Sequence, residues 1–303
     1  MTEKELLLYD RLEVIRKTIE RYGEDNFYLS FSGGKDSTVL HFMLDEALPN
    51  SIPRVFMNTG IEYAHTVEHV RNLAESDKRI LILNSKVNIK RMLETEGYPF
   101  KSKFHADMVN RYQKKGHSKT TLQYFKGIKA NGEHASAKFV CPEKLKYQFS
   151  KEFQLKLSAQ CCTKLKKEPL HEYEHESNRH VAIIGTRREE GGIRSIHEGC
   201  ILTDSKGNLI KFKPLTPVND EFMDWYIETR NIELSKLYYP PFNFIRTGCK
   251  GCPFALNLEK ELKTMEEYLP NERKQCEFIW KPVYEEYRKL NYRLHRIEQN
   301  KLF

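Results

Sequence analysis

Short apolar strands alternating with helices constrain this chain most. NFYLSF, PRVFMNT (Pro53–Thr59) and RILILNS (Arg79–Ser85) are each followed by a segment of helical spacing: Ser37 to Ala47, about Tyr63 to Ala74, and NIKRMLETEG. Strands so continuously apolar are covered on both faces, and a strand–helix–strand unit closes as a right-handed crossover between parallel neighbours. The pattern predicts an α/β fold, a doubly wound and mostly parallel sheet. HVAIIGT (His180–Thr186) reads as a fourth strand, and ILTD-SKGN-LIKFKPL as a hairpin whose second arm returns to the sheet. Leu6, Leu7, Leu12, Ile15 and Ile19 mark an opening helix over Glu3–Tyr22, stopped by Gly23.

From Phe100 to about Ala137 the periodicity fades into a polar, lysine-rich stretch, read as an arm inserted over 101–140 on the substrate side. Glu143–Leu157, Cys162–Glu174, Asn257–Glu267 and Asn271–Glu298 read as helical. The simplest partition is one α/β domain over 1–256 and a helical extension over 257–303.

The 303 residues are 39% hydrophobic and 30% charged, enough for a real core and unlike a disordered chain. No apolar run approaches the roughly 18 residues of a membrane span, and the mixed-charge N-terminal segment is neither signal nor transit peptide. No membrane partner and a cytoplasmic location are therefore expected. Seven cysteines in that setting argue against a disulfide framework. The net charge of +8 fits an ordinary basic surface or a polyanionic partner, nucleotide or nucleic acid, with lysines concentrated between Lys101 and Lys167. Oligomerisation stays open.

SFSGGKDST (Ser30–Thr38) joins the first strand to its helix. It is not the familiar P-loop, because only Gly33-Gly34 precede Lys35. Paired glycines permit a sharp turn in which backbone N–H groups converge on an anion, and the helix N-terminus adds partial positive charge. Lys35 adds a full charge, Ser32 and Ser37 add hydroxyls, and Asp36 caps the helix or helps position a magnesium ion.

Cys161-Cys162 are adjacent, and Cys249 and Cys252 form a C-x-x-C. Thiolates suit soft metals, but neighbouring residues place two sulfurs on one tetrahedral ion only with strain. A cubane accepts neighbours on different corners, which favours [4Fe–4S] over zinc. Of the lone cysteines Cys141, Cys200 and Cys276, only Cys141 lies close enough to the arm to test for reactivity.

These motifs together resemble a known family. SFSGGKDST resembles the PP-loop of the adenine nucleotide alpha-hydrolase superfamily (a HUP-type fold), which grips phosphates attached to adenosine. VFMNTGIEYAHT (Val55–Thr66) resembles that superfamily's "DTG" turn, with Asn58 in place of the usual Asp. GYPFKSK (Gly97–Lys103) resembles the reductase-like branch, CCTKLKKEPL is similar to a stretch of the iron–sulfur branch of the phosphoadenylyl-sulfate (PAPS) reductase family, and Cys249-Lys250-Gly251-Cys252 to its distal C-x-x-C. IIGTRREEGGIRS (Ile183–Ser195) resembles the segment whose arginines bind the phosphosulfate, and by position Arg187 and Arg194 inherit that role. Their alternative is salt-bridging to Glu189, Glu190 or Glu198. The resemblance runs from about Phe27 to Phe254. It implies nucleotide contacts from Ser30, Ser32, Gly33, Gly34, Lys35, Asp36, Ser37, Thr38, Asn58, Thr59, Gly60 and Gly185. It also implies a cluster on Cys161, Cys162, Cys249 and Cys252, and catalysis by Lys35, Asp36, Arg187 and Arg194.

Two departures shape the expected reaction. Reductases of the family carry a nucleophilic cysteine in an "E-C-G-L-H" tail, which HRIEQNKLF does not match, and they usually lack the loop lysine that ATP pyrophosphatases have. The expectation is ATP–Mg2+ cleavage at the α–β bond with sulfur transfer from a donor protein to an acceptor, nucleic acid among the candidates. The alternatives are adenylyl-sulfate or PAPS reduction with a cysteine supplied from elsewhere, and a non-catalytic nucleotide-binding partner subunit.

Overall fold

The computed structural model describes residues 1–191 and 199–295. Among the described residues six strands form one sheet in the order β3-β2-β1-β4-β6-β5. They are β1 (Phe27–Phe31), β2 (Arg54–Asn58), β3 (Ile80–Asn84), β4 (Val181–Ile183), β5 (Ile201–Thr203) and β6 (Leu209–Phe212). β3, β2, β1, β4 and β6 run parallel, and only the edge strand β5 is antiparallel. The α/β, mostly parallel sheet read from the strand–helix alternation is thus the observed one.

The alternation of side chains along β1 divides the layers. Phe27, Leu29 and Phe31 face a core shared with α1 (Glu3–Tyr22), α2 (Lys35–Ala47), Val70 of α3 (Ala64–Ser76) and α8 (Asp220–Thr229). Tyr28 faces the other way, with Val55 and Ala182, against Leu170 and Tyr173 of α7 (Glu168–Ser177). α1 starts with a reciprocal cap: Thr2 Oγ1 accepts from the Glu5 amide at 3.2 Å, and the Thr2 amide donates to Glu5 Oε2 at 2.6 Å. Among the described residues no helix is long and apolar enough to cross a membrane.

The chain forms two compact units, Met1–Ser85 with Glu168–Gly248, and Lys86–Lys167 with Cys249–Phe303. The C-terminal helices group with the middle of the chain. The second unit holds α4 (Ile89–Glu96), α5 (Lys103–Lys115), α6 (Lys119–Lys126), α9 (Leu258–Tyr268) and α10 (Pro270–Lys289). The stretch read as a polar arm is therefore largely helical up to Lys126. Its buried positions include His105 and Thr121 as well as Met108, Val109 and Tyr124, so a polar-versus-apolar count hides the period. The Glu143–Leu157 expectation reduces to a 3-10 turn over Glu143–Phe149. Cys162–Glu174 divides into a π turn at Thr163–Lys167 and the start of α7.

At the amino ends of β2 and β3, His41, Asp45 and Asp77 lie within 4.8 Å of one another. Two arginines already occupy them. Arg54 donates to His41 Nδ1 at 3.1 Å and Asp45 at 2.6 Å, and Arg79 reaches Asp45 and Asp77 at 2.7 Å each. Burial and the Arg54 charge push His41 down to about 4. Burial pushes Asp77 up, but hydrogen bonds from Arg79 outweigh it and hold the carboxyl at about 2. Both folded values lie below the unfolded ones, so the stabilisation is complete above them and is lost as pH falls. The urea midpoint is expected to decline first between about pH 6.5 and 4 through His41, then between about 4 and 2 through Asp77. Arg79→Gln should remove about 2 kcal/mol at neutral pH and flatten the lower phase. A midpoint that Arg79→Gln leaves unchanged would contradict the network's role.

Candidate functional site

β1 leaves the sheet at the point where the chain order reverses, with β2 on one side and β4 on the other. Such a switch point opens a crevice at the carboxyl ends of parallel strands. Ser32–Gly34 turn there, and Gly34 is the N-cap of α2 with no side chain to cap it. Gly33 has φ +68°, and a Cβ on it would sit 2.6 Å from Val70 Cγ2 and 3.1 Å from Thr66 Cγ2. Ser37 Oγ donates to Gly34 O at 3.0 Å and lies 2.9 Å from Ser32 Oγ, so hydroxyls brace the turn from inside. Ser30 lies within β1, and the Thr38 amide continues the helix to Gly34 O at 2.9 Å.

Gly33→Ala combines a left-handed backbone with a buried clash, so it should destabilise the protein by more than about 1 kcal/mol and weaken nucleotide binding. Gly207→Ala, at φ +83° with nothing within 4 Å, isolates the backbone part. Urea midpoints that fall equally in the two variants would contradict close packing at Gly33.

Neighbouring turns complete the crevice. After β2, Thr59 donates both its amide and its hydroxyl to Glu62, at 2.7–2.8 Å. Asn58 Oδ1 accepts from the Gly60 amide at 3.2 Å, and its amide group reaches Asn84 at the end of β3 at 2.9 Å. After β4, Gly185 passes so close to α2 that a Cβ would lie 3.0 Å from the Asp36 carbonyl.

The charged groups are paired. Lys35 Nζ lies 3.0 Å from Asp224, whose side chain is 70% exposed, and the Lys35 amide donates to Tyr238 Oη at 2.9 Å. Arg187 is buried and contacts three carboxylates: Asp36 at 2.8 Å, Asp220 at 2.7 Å and Glu189 at 3.2 Å. Burial opposes its charge, but Asp36 and Asp220 outweigh that and hold its proton more tightly than usual. The Glu189 ion pair is one the sequence offered, whereas those to Asp36 and Asp220 are visible only in the fold. Arg194 lies outside the described residues. Three acids around one guanidinium leave negative charge beside the glycine turn, a donor set that could hold magnesium.

The cysteine group belongs to the second unit. All seven cysteines are free thiols. Cys161 and Cys162 share a hydrogen bond that raises the first and lowers the second, with Lys103 and Lys166 also favouring the Cys162 thiolate. The charges of Cys249 and Cys252 act on Cys161 as well, so four sulfurs share one neighbourhood. Burial, then Cys249, pushes Cys252 up to about 12. Four sulfurs whose charges oppose one another stay thiols unless a cation offsets that charge, and the donor set fits a thiolate-bound metal centre. α10 holds the C-x-x-C turn by its backbone: Trp280 Nε1 donates to Lys250 O at 3.1 Å, Tyr284 to Gly251 O, and Tyr287 to Pro253 O at 2.8 Å. Gly251 has φ +59°, and a Cβ there would meet Tyr284 Oη and Cys276 Sγ. Cys141 is buried, and burial pushes its thiol up to about 11, so it is no reactive nucleophile.

A model of the phosphoadenosine phosphosulfate reductase domain matches residues 26–131 and 117–255. The chain belongs to that family. A relative of this PAPS reductase-family protein is an uncharacterized protein of Methanocaldococcus jannaschii, 25% identical over 258 residues, which cover 82% of this chain and 47% of the relative. The chain thus spans about half the length of that relative. PAPS reductase of Candida auris, solved as a phosphate complex, aligns with a TM-score of 0.43 at 16% identity over 78% of this chain and 91% of its own. The NH3-dependent NAD synthetase of Campylobacter jejuni gives 0.41 at 13% identity over 96% and 97%. Yeast FAD synthetase, in complex with FAD, gives 0.45 at 13% identity over 90% and 79%.

Sequence reading missed Glu62, Asp220, Asp224 and Tyr238. The Thr59-x-x-Glu62 spacing is a local signal of a carboxylate folding back on a turn. The other three lie more than 180 residues from the loop in sequence, and only tertiary structure brings them there.

Proposed function

We infer that this PAPS reductase-family protein binds ATP through its PP-loop and cleaves it between the α- and β-phosphates for sulfur transfer. The supporting observation is Lys35 in the first turn of α2, just after the glycine turn at the carboxyl end of β1. A lysine there suits a triphosphate, and its partner Asp224 is a mostly exposed residue that phosphate displaces at little expense. Lys35 and the loop amides take the phosphate charge, and Ser30, Ser32, Ser37 and Thr38 line the turn. Asn58, Thr59, Gly60 and Gly185 border the adenosine side. Asp36 would hold magnesium, which neutralises charge on the leaving group. Arg187 positions Asp36, and Arg194 is assigned to the anion by sequence alone.

An acceptor oxygen attacks the α-phosphorus, the bond to the β-phosphate oxygen breaks, and pyrophosphate leaves. A donor's sulfur then displaces AMP from the activated acceptor. Positioning and electrostatics carry such a displacement, and both are supplied by the loop. Cys161, Cys162, Cys249 and Cys252 would hold a [4Fe–4S] cluster, which supplies a redox-active, sulfur-binding iron site. The lysines of 101–167 favour a nucleic acid acceptor.

Incubating anaerobically purified protein with ATP–Mg2+, candidate RNA or DNA and a sulfide source is expected to release pyrophosphate. Sulfite from adenylyl sulfate or PAPS plus thioredoxin, without pyrophosphate from ATP, would instead make the protein a sulfonucleotide reductase. Tight nucleotide binding with neither product would make it a binding subunit.

A further inference from the structure

α7 separates its residues by face. Leu170 and Tyr173 pack on the sheet, with the Tyr173 ring 5.5 Å from Tyr28 in an edge-on contact. Glu168, His171, Glu172, His175 and Glu176 line one open concavity on the outer face. His171 and His175 are four residues apart, so their side chains stand one above the other, about 5–6 Å apart at Cβ. Glu172 lies between them on the adjacent row, within a His-Glu-x-x-His run. Rotation about their side-chain torsions lets two imidazoles at this spacing reach one ion with ordinary metal–nitrogen bonds of about 2.0–2.1 Å.

A second observation sets this pair apart from a chance surface pattern. His171 Nδ1 lies 2.6 Å from Glu174 Oε2, and Glu174 Oε1 accepts from the buried Tyr28 hydroxyl at 2.7 Å. The sheet thereby fixes the carboxylate and the carboxylate fixes the ring, so Nε2 is the nitrogen left to face a ligand. Metal-binding histidines are oriented in this way, with the second ring nitrogen donating to a carboxylate.

We propose that the outer face of α7 is a divalent transition-metal site with His171 and His175 as ligands, Glu172 as the carboxylate beside them and Glu174 as the positioning residue. Imidazole and carboxylate donors select zinc-like ions, whereas the four-cysteine group takes soft or cluster metals. Water fills the outward coordination positions, so the ion is open to exchange.

The test is calorimetric titration of anaerobically purified full-length protein with Zn2+, its cysteine-bound metal quantified beforehand. The parent is expected to take up one equivalent that the His171→Ala/His175→Ala variant does not. Both residues are exposed, so the double variant keeps its fold and its urea midpoint. Glu174→Gln should retain the equivalent but bind it about 10–100-fold more weakly. Equal stoichiometry and affinity in parent and double variant would overturn the site, and unchanged affinity in Glu174→Gln would overturn the positioning role. Neither result depends on whether ATP is cleaved.

Discussion

Cys252→Ser is expected to abolish iron binding, leaving anaerobically prepared protein without the brown visible absorbance of the parent. The parent should carry about four iron and four sulfide per chain. Cys252 sits on a turn whose carbonyls are bonded to Trp280, Tyr284 and Tyr287, so its sulfur is held in place before any metal arrives. Burial and Cys249 make its thiolate costly alone, and a bound metal reverses that by stabilising the deprotonated form. Losing one of four ligands in a closed site removes most of the affinity, and a serine hydroxyl is a poor donor to soft iron. Cys141→Ala is the control. Its thiol is buried against the Pro142 carbonyl and is not one of the four proposed ligands, so the variant should keep its iron. Iron retained by Cys252→Ser, or stoichiometric zinc and no iron in the parent, would contradict the cluster assignment.

Lys35→Ala is expected to weaken ATP binding by about 10–150-fold, the range of a charged hydrogen bond of 1.5–3 kcal/mol. The loss should be much smaller for AMP, which places no phosphate beyond the loop. In the parent the lysine first gives up Asp224, an exposed pair of about 0–1 kcal/mol, so nearly the whole phosphate interaction appears in the measured affinity. Iron content should not change, because Lys35 and the cysteines belong to different compact units. Calorimetry with ATP and AMP on both proteins checks this, and equal ATP affinity would remove the loop from the binding site.

The half of the fold built on the parallel sheet was legible because each of its elements announces itself locally. Leu12, Ile15 and Ile19 recur at helical spacing, Gly23 stops α1, and Phe27–Phe31 is a buried strand without interruption. The glycine turn after β1 was legible for the same reason, its two glycines and lysine being consecutive. The second unit was not. α5 and α6 bury His105 and Thr121 among their apolar residues and expose lysines, although Ser102, Gly116, Ser118 and Gly127 do mark their ends. The role of α10 was also hidden, since it acts through hydrogen bonds to backbone carbonyls about 30 residues earlier, which leave no pattern in sequence. Arg187 was found by motif, but its ties to Asp36 and Asp220 depend on residues 151 and 33 positions away.

The most direct measurement follows the label of [γ-32P]ATP incubated with protein, magnesium, sulfide source and candidate acceptor under anaerobic conditions. Cleavage next to the α-phosphorus predicts that the label leaves as pyrophosphate, with an equal amount of AMP formed once sulfur transfer is complete. Label recovered as orthophosphate, or wholly in unreacted ATP while adenylyl sulfate yields sulfite, would contradict it.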